Sequence, residues 1–261
     1  MPHLFRSASH QNRYYAWFEA LHTRIDLLLL GSLTEAEFEA AEAAVRAELT
    51  AVEKMGNRFN PDSELSRAVK AAATGPVAIS SELYTLLARC LQANCDTGGL
   101  FDITVNSPDF CPGLINRVKL TGPTAPIGEG SGCASLSFCA QEDLSYPPLR
   151  EEHGGGASII IDLSGILKGY ALERLRVLLP TFGIQDALIN LGNSSILSLG
   201  KNPSDIPSGY CLTTSGNATP DRRHIRNPLT GEYVSGQRTV SVTTADAIDG
   251  EIQSIVAFLR T

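Results

Sequence analysis

The sequence of 261 residues predicts an α+β fold, and three observations carry that reading. Helical and extended patterns interleave along the chain without the regular strand–helix–strand repeat that builds a doubly wound parallel sheet. The two periodicities are distinct: Phe38, Ala41, Val45, Leu49 and Val52 recur at helical spacing, whereas Val240–Thr243 alternates as a strand does. The length suffices for one large or two small cores, and a hydrophobic share of 43% against 19% charged residues reads as an ordinary soluble globular protein.

The opening residues, MPHLFRSASHQNRYYAW, are polar and basic with interspersed aromatics, and lack the apolar run of a signal peptide. Ile25–Leu30 is a short apolar run closed by Gly31-Ser32, which predicts a strand. Thr34 and Glu37 then form a capping-box pattern ahead of a long helix ending near Gly56. Arg58–Ser66 (RFNPDSELS) reads as a polar turn. Val77–Ile79 leads into a helix from about Ser81, with Leu83, Leu86, Leu87, Cys90 and Leu91 on one side. Thr97-Gly98-Gly99 breaks the chain before LFDITV. Residues 107–156 are rich in Pro, Gly and Ser and read as loops with a few short strands, Gly154-Gly155-Gly156 being a turn. A strand over Ser158–Ile161 runs into Asp162, a turn at Gly165, and a helix from about Ile166 to Leu179 stopped by Pro180. Further strands are predicted at Ala187–Leu191, Ile196–Leu199, near Tyr210–Thr213 and at Val240–Thr243, with a closing helix over Ile248–Leu259.

The net charge of −7, from 28 acids and 21 bases, argues against a general attraction to nucleic acid or an anionic membrane. A phosphate-bearing ligand must then be held locally, by a metal, by backbone N–H groups or by a few placed cations. No stretch approaches the ~18 consecutive apolar residues of a membrane span. Cysteines stand at 90, 95, 111, 133, 139 and 211, with no C-x-x-C pair. This usage suits free thiols in a reducing compartment and a cytoplasmic protein, or an exported one whose signal has been removed.

Four segments offer chemistry. Asp162, Gly165 and Lys168 place a carboxylate, a glycine turn and an amine at the start of a helix, whose free N–H groups suit a phosphate; the alternative is a tight turn with a solvent-facing lysine. Thr214-Ser215-Gly216-Asn217, after a strand end, can hold a ribose or phosphate, or form an ordinary polar turn. His224, with Ile225 and Arg226, can bind phosphate or carry a proton, or simply be a surface histidine. Asp246, Asp249 and Glu251 offer the oxygen ligands that Mg²⁺ prefers, or negative charge favouring a helix N-terminus. The scattered histidines and cysteines form no zinc pattern, and Asp62 and Asp102 are isolated acids.

Taken in order, these segments resemble the ApbE family, the FAD:protein FMN transferases. Ala20-Leu21-His22-Thr23 sits where that family has Ala-Met-Gly-Thr, and Arg58–Ser66 resembles its polar turn. Thr97–Val105 resembles T-G-x-F-D-x-T, and Asp162–Tyr170 resembles D-L-G-G-I-A-K-G-Y closely. Thr214–Gly216, and His224-Ile225 with Pro228, Thr230 and Gly231, resemble T-S-G and H-I-x-D-P-x-T-G. The resemblance implies one ApbE-like α+β unit over residues 1–261, divisible into two subdomains sharing a ligand cleft, with mainly antiparallel sheets and packed helices. It implies binding of FAD and Mg²⁺, and transfer of FMN to a threonine hydroxyl of an acceptor flavoprotein with release of AMP, or hydrolysis of FAD to FMN and AMP. It further implies Asp249, the Leu167 carbonyl and Gln253 as metal ligands, and Asp249 and His224 as catalytic residues. Cofactor contacts would come from Leu21, His22, Thr23, Phe59, Asp102, Lys168, Thr214, Ser215, His224 and Ile225. Some positions depart from the pattern. The Gly-Gly-acid segment reads Gly192-Asn193-Ser194, T-S-G-D ends in Asn217, and H-I-x-D has Asn227. His22 replaces a glycine, and Gln253 replaces the threonine four residues after the metal-binding aspartate. These losses motivate the alternative of a non-catalytic flavin or nucleotide binder that keeps the family fold.

Overall fold

The structure is a computed structural model that describes residues 3–6, 12–122, 134–139, 159–217, 219 and 224–261. The expected turn at Gly154–Gly156 lies outside the described residues. The chain divides into two compact units, the first comprising residues 1–53, 165–218 and 237–261 and the second residues 54–164 and 219–236.

The first unit is built on a seven-stranded sheet. In chain order its strands are β1 (His3–Arg6), β2 (Asn12–Ala20), β3 (Thr23–Gly31), then β7 (Asp186–Leu191), β8 (Ser195–Leu199), β9 (Cys211–Asn217) and β10 (Arg238–Thr244). They lie side by side in that same order, every neighbouring pair antiparallel. One sheet face is apolar because alternate residues share it: Tyr14, Ala16 and Phe18 on β2, Ile25, Leu27 and Leu29 on β3, and Ala187, Ile189 and Leu191 on β7 are all buried. Helix α1 (Glu35–Gly56) covers part of that face with Phe38, Ala41, Val45, Leu49 and Val52. The Phe38 ring stacks on Tyr14 at 5.3 Å, and the Tyr14 hydroxyl donates to Glu42 Oε2 at 2.8 Å. The capping box forms as predicted: the Thr34 N–H reaches Glu37 Oε2 at 2.7 Å, and the Glu37 N–H reaches Thr34 Oγ1 at 3.3 Å. Helices α4 (Leu167–Thr181) and α5 (Ala247–Arg260) pack on one another, and α5 lies against β9 and β10.

The second unit holds α2 (Glu64–Ala72), α3 (Ser81–Asp96) and a small antiparallel sheet ordered β4 (Val77–Ala78), β6 (Ser135–Phe138), β5 (Val118–Thr121). Ser63 and Ser80 cap the two helices through their hydroxyls. The Glu64 carboxylate accepts from the Ser80 N–H at 2.6 Å and its hydroxyl at 2.9 Å, which links the two helix starts.

Several expectations need correction. The aromatic N-terminal segment forms β2, unpredicted because exposed Trp17 and half-buried Tyr15 blur the alternation of its two faces. The polar turn expected over Arg58–Ser66 gives way at Ser63 to α2. Ile159–Ile161 is not a strand. Its backbone is held instead by the Ser107 hydroxyl, which accepts from the Ile160 N–H at 3.0 Å and donates to the Ile160 carbonyl at 3.3 Å. Pro180 lies inside the last turn of α4, and the stop comes from Gly183, whose φ of 74° lets the chain turn back. Thr214–Asn217 extend β9 rather than following it, paired with β10 from Thr214↔Ser241 to Asn217↔Arg238. Gly216 permits this because any Cβ there would stand 2.3 Å from the Arg238 carbonyl oxygen.

Candidate functional site

In the first unit, one end of the sheet gathers two tight hairpin turns. Leu21 and His22 join β2 to β3 with φ of 52° and 57°, left-handed backbone at two non-glycine positions. The Leu21 N–H is anchored by Glu53 Oε1 at 2.7 Å. Gly192 and Asn193 begin the turn from β7 to β8 with φ of 68° and 59°. Asn193 is locked there by the Asn190 side chain, which accepts from the Asn193 N–H at 2.8 Å. The turns touch, since the Gly192 N–H donates to the Arg24 carbonyl at 2.9 Å and a Cβ on Gly192 would run into Thr23 Oγ1.

Lys168, in the first turn of α4, donates from Nζ to Ser194 Oγ at the end of the second turn. The Ser194 carbonyl in turn accepts from the Thr214 N–H at 2.7 Å. The next residue, Ser195, is fully buried and donates from Oγ to Glu251 Oε1 at 2.5 Å. Glu251 also accepts the Gly169 N–H and feels the Lys168 charge. Burial pushes this carboxyl up to about 7, against the opposing pull of Lys168, Ser195 and Gly169. Two glycines make the approach possible. A Cβ on Gly169 would lie 2.6 Å from the Ala247 carbonyl oxygen and 2.8 Å from Glu251 Cγ. A Cβ on Gly250 would lie 2.6 Å from Thr213 Oγ1. Ser215 is tied to α5 through its Oγ, 2.7 Å from Ser254 Oγ.

The three acids at the start of α5 therefore do not form one cluster. Asp246 is the N-cap and accepts from the Asp249 N–H at 2.9 Å, Asp249 is exposed, and Glu251 is buried. Asp249 and Gln253 stand four residues apart, both exposed, and so share one face of α5. Leu167 opens α4. Among the described residues no group of three or more His, Cys, Asp or Glu side chains is placed to hold a metal. A carboxylate, a carboxamide and a backbone carbonyl are nonetheless hard oxygen donors that fit Mg²⁺, an ion that keeps waters and bridges to phosphates rather than needing an all-protein cage.

The second unit carries the remaining predicted residues. Phe59 is exposed, with the Arg58 guanidinium 4.0 Å above its ring. Asp102 is buried, and its Oδ1 accepts from the Thr104 N–H at 2.7 Å and the Thr104 hydroxyl at 2.6 Å. Burial raises its pKa above the ordinary aspartate value, against those two hydrogen bonds. His224 is exposed, and Ile225 accepts from the Val234 N–H at 2.8 Å. The hairpin beyond is clasped by Arg226, which donates to the Gly231 carbonyl at 2.5 Å and the Val105 carbonyl at 2.7 Å. Asp162 has its partners within the second unit. It pairs with Arg58 at 2.7 Å, accepts from Asn106 at 2.7 Å and caps its own turn through the Ser164 N–H at 2.9 Å.

Sequence reasoning missed the buried role of Glu251 and the part of Ser194 and Ser195. The signal for Glu251 was present, since it falls on the stripe of α5 that Ile248, Ile252 and Val256 bury.

Comparison with known proteins agrees with this architecture. The model of the ApbE family matches residues 21–260. The FAD:protein FMN transferase of Klebsiella pneumoniae is 25% identical over 243 residues, spanning 80% of this chain and 67% of the relative. That of Chlamydia muridarum is 26% identical over 180 residues, covering 67% of this chain but only 52% of the relative. The flavinyl transferase ApbE of Pseudomonas stutzeri superposes with a TM-score of 0.73 at 16% identity, over 96% of this chain and 87% of that one. The flavin transferase ApbE of Vibrio cholerae gives 0.71 at 19%, over 94% and 86%. With a family match over residues 21–260, almost its whole length, and with its antiparallel sheets, the chain belongs to the ApbE family.

Proposed function

We propose that this protein is an enzyme that transfers FMN from FAD to a threonine hydroxyl of an acceptor flavoprotein, with Mg²⁺ as its metal. The observation that carries this reading is the start of α4. It holds a lysine amine against a hairpin turn, beside the first turns of α5, which expose Asp249 and Gln253 on one face. In the proposed reaction the acceptor oxygen attacks the phosphorus of the FMN half, forming a P–O bond. The pyrophosphate P–O bond breaks, AMP departs, and the acceptor hydroxyl gives up its proton. Lys168 supplies a positive charge for the dianionic pyrophosphate. Asp249, Gln253 and the Leu167 carbonyl would hold Mg²⁺, which when bound offsets negative charge on the phosphates. Asp102 and His224 are assigned to the pyrophosphate region, His224 as the proton carrier, with Thr214, Ser215 and Ile225 as further cofactor contacts. Leu21–Thr23 and Phe59 are assigned to the border of the nucleotide pocket. The free thiols of Cys90, Cys95, Cys111, Cys139 and Cys211 support a reducing compartment. No helix among the described residues is long and apolar enough to cross a membrane.

Two further readings keep the same site. Water in place of the acceptor gives FAD hydrolysis to FMN and AMP. The neutral residues Ser194, Asn217 and Asn227, where the family pattern has acids, favour a flavin binder without turnover. Incubating the purified protein with FAD, with and without Mg²⁺, and following bound flavin and released AMP together separates these cases. Metal-dependent AMP release supports the enzyme, and an acceptor threonine carrying FMN establishes transfer. Tight flavin binding with no AMP, at high protein concentration and with other divalent metals, overturns it.

A further inference from the structure

We infer that Glu251 is a positioning residue for Lys168, its buried carboxylate tying the start of α4 to the start of β8 and supplying the negative charge that keeps the lysine amine at the Ser194 turn. The flavin-binding consequence rests on the function proposed above; the structural part does not.

Glu251 is only 4% exposed, on the side of α5 that also buries Ile248, Ile252 and Val256. A charged group in such surroundings persists only with partners that compensate for lost water. Glu251 has three, from two separate parts of the chain: the Ser195 hydroxyl on β8, and the Gly169 N–H and the Lys168 charge at the start of α4. The absence of a side chain at Gly169 brings the carboxylate onto that N–H, since a Cβ there would stand 2.8 Å from Glu251 Cγ. Lys168 itself donates to Ser194 Oγ, a neutral acceptor that orients the amine without balancing its charge. Ser194 and Ser195 are consecutive, so the same short stretch receives the lysine with one hydroxyl and the glutamate with the next. Removing the carboxylate releases the Ser195 hydroxyl and the Gly169 N–H together, and the amine loses the charge behind it.

A purely packing role makes the opposite prediction, because an apolar residue of similar volume suits this stripe of α5 better than a carboxylate does. The test uses Glu251→Gln and Glu251→Leu in the full chain. The first readout needs no flavin: the rate at which an amine-directed acylating reagent labels Lys168, followed by peptide mass spectrometry, with thermal unfolding to show that each variant is folded. Positioning predicts labelling several-fold faster in both variants. The second readout is FAD titration and AMP release, where KM for FAD should rise several-fold with a smaller change in kcat. Unchanged Lys168 labelling in folded Glu251→Gln overturns the inference, as does unchanged labelling in Glu251→Leu with a higher melting temperature. If Glu251→Leu fails to fold, Glu251→Gln decides alone. If the parent protein releases no AMP, the proposed enzyme fails while the labelling result still stands or falls by itself.

Discussion

Replacing Gly169 by alanine tests the helix contact on which the Lys168 cluster rests. By propensity alone the change should help, because alanine is about 1 kcal/mol better than glycine inside a helix. The tertiary environment opposes it. The added Cβ would stand 2.6 Å from the Ala247 oxygen, 2.9 Å from the Ala247 carbonyl carbon and 2.8 Å from Glu251 Cγ. Two of these atoms are backbone at the start of α5, so no side-chain rotation relieves the clash and the helices must part. Overpacking of this kind costs about 1–3 kcal/mol. The same displacement weakens the Gly169 N–H bond to the Glu251 carboxylate, and hydrogen bonds to charged groups contribute about 1.5–3 kcal/mol. Setting these losses against the propensity gain leaves a net destabilisation of about 1.5–5 kcal/mol. Urea denaturation should show this as a lower midpoint with an unchanged slope. Gly165→Ala is the control, since its Cβ would meet only the flexible tip of Ile255, at 3.2 Å; a change within about 1 kcal/mol is expected. A Gly169→Ala protein as stable as its parent, or more so, would refute the close packing of α4 on α5.

Asp249→Asn should leave the melting temperature in metal-free buffer nearly unchanged but strongly weaken Mg²⁺-dependent flavin binding or turnover; an unaltered metal titration removes Asp249 from the ligand set. Thr34→Ala removes the hydroxyl that receives the Glu37 N–H and should cost about 1 kcal/mol in urea unfolding, with no effect on flavin. For Asp102, burial raises the folded pKa above the unfolded value of 3.8, so the protonated form favours folding in acid and that contribution is lost as pH rises through the folded pKa. The parent should therefore lose stability relative to Asp102→Asn between acid and neutrality, measured as the difference in urea midpoint, and parallel pH profiles would count against a buried, raised carboxyl.

The parts of the fold that were legible have local causes. The helix from Thr34 to Gly56 could be read because a capping box and a repeating apolar face coincide in one short stretch. Strands β3, β7, β8 and β10 were placed to within a few residues because each is a short run bounded by turn residues. What escaped depended on partners far along the chain. Strand β2 puts aromatics on both faces, so only its register against β3 shows which face is core. Ile159–Ile161 has the composition of a strand, but the Ser107 side chain takes its backbone groups. Thr214–Asn217 has the composition of a turn, yet β10 lies alongside it.

The same division holds for the candidate site. The order of the segments from Ala20 to Gln253 was enough to indicate the family, because a linear pattern of residue types is a property of the chain itself. The roles of the acids were not, because a carboxylate's role depends on its burial and partners. Sequence grouped Asp246, Asp249 and Glu251 as one potential metal cluster. Folding into a helix turned them in different directions: Asp246 onto the helix end, Asp249 outward and Glu251 into the core. Asp162 and Lys168 stand six residues apart in a motif that reads as one site, yet Asp162 pairs with Arg58 while Lys168 meets Ser194. Sequence alone determined which residue types were available and in what order. Tertiary structure decided which of them lost water, and with it which carboxylate faces the lysine, since desolvation and charge pairing are set by the neighbours that folding brings together.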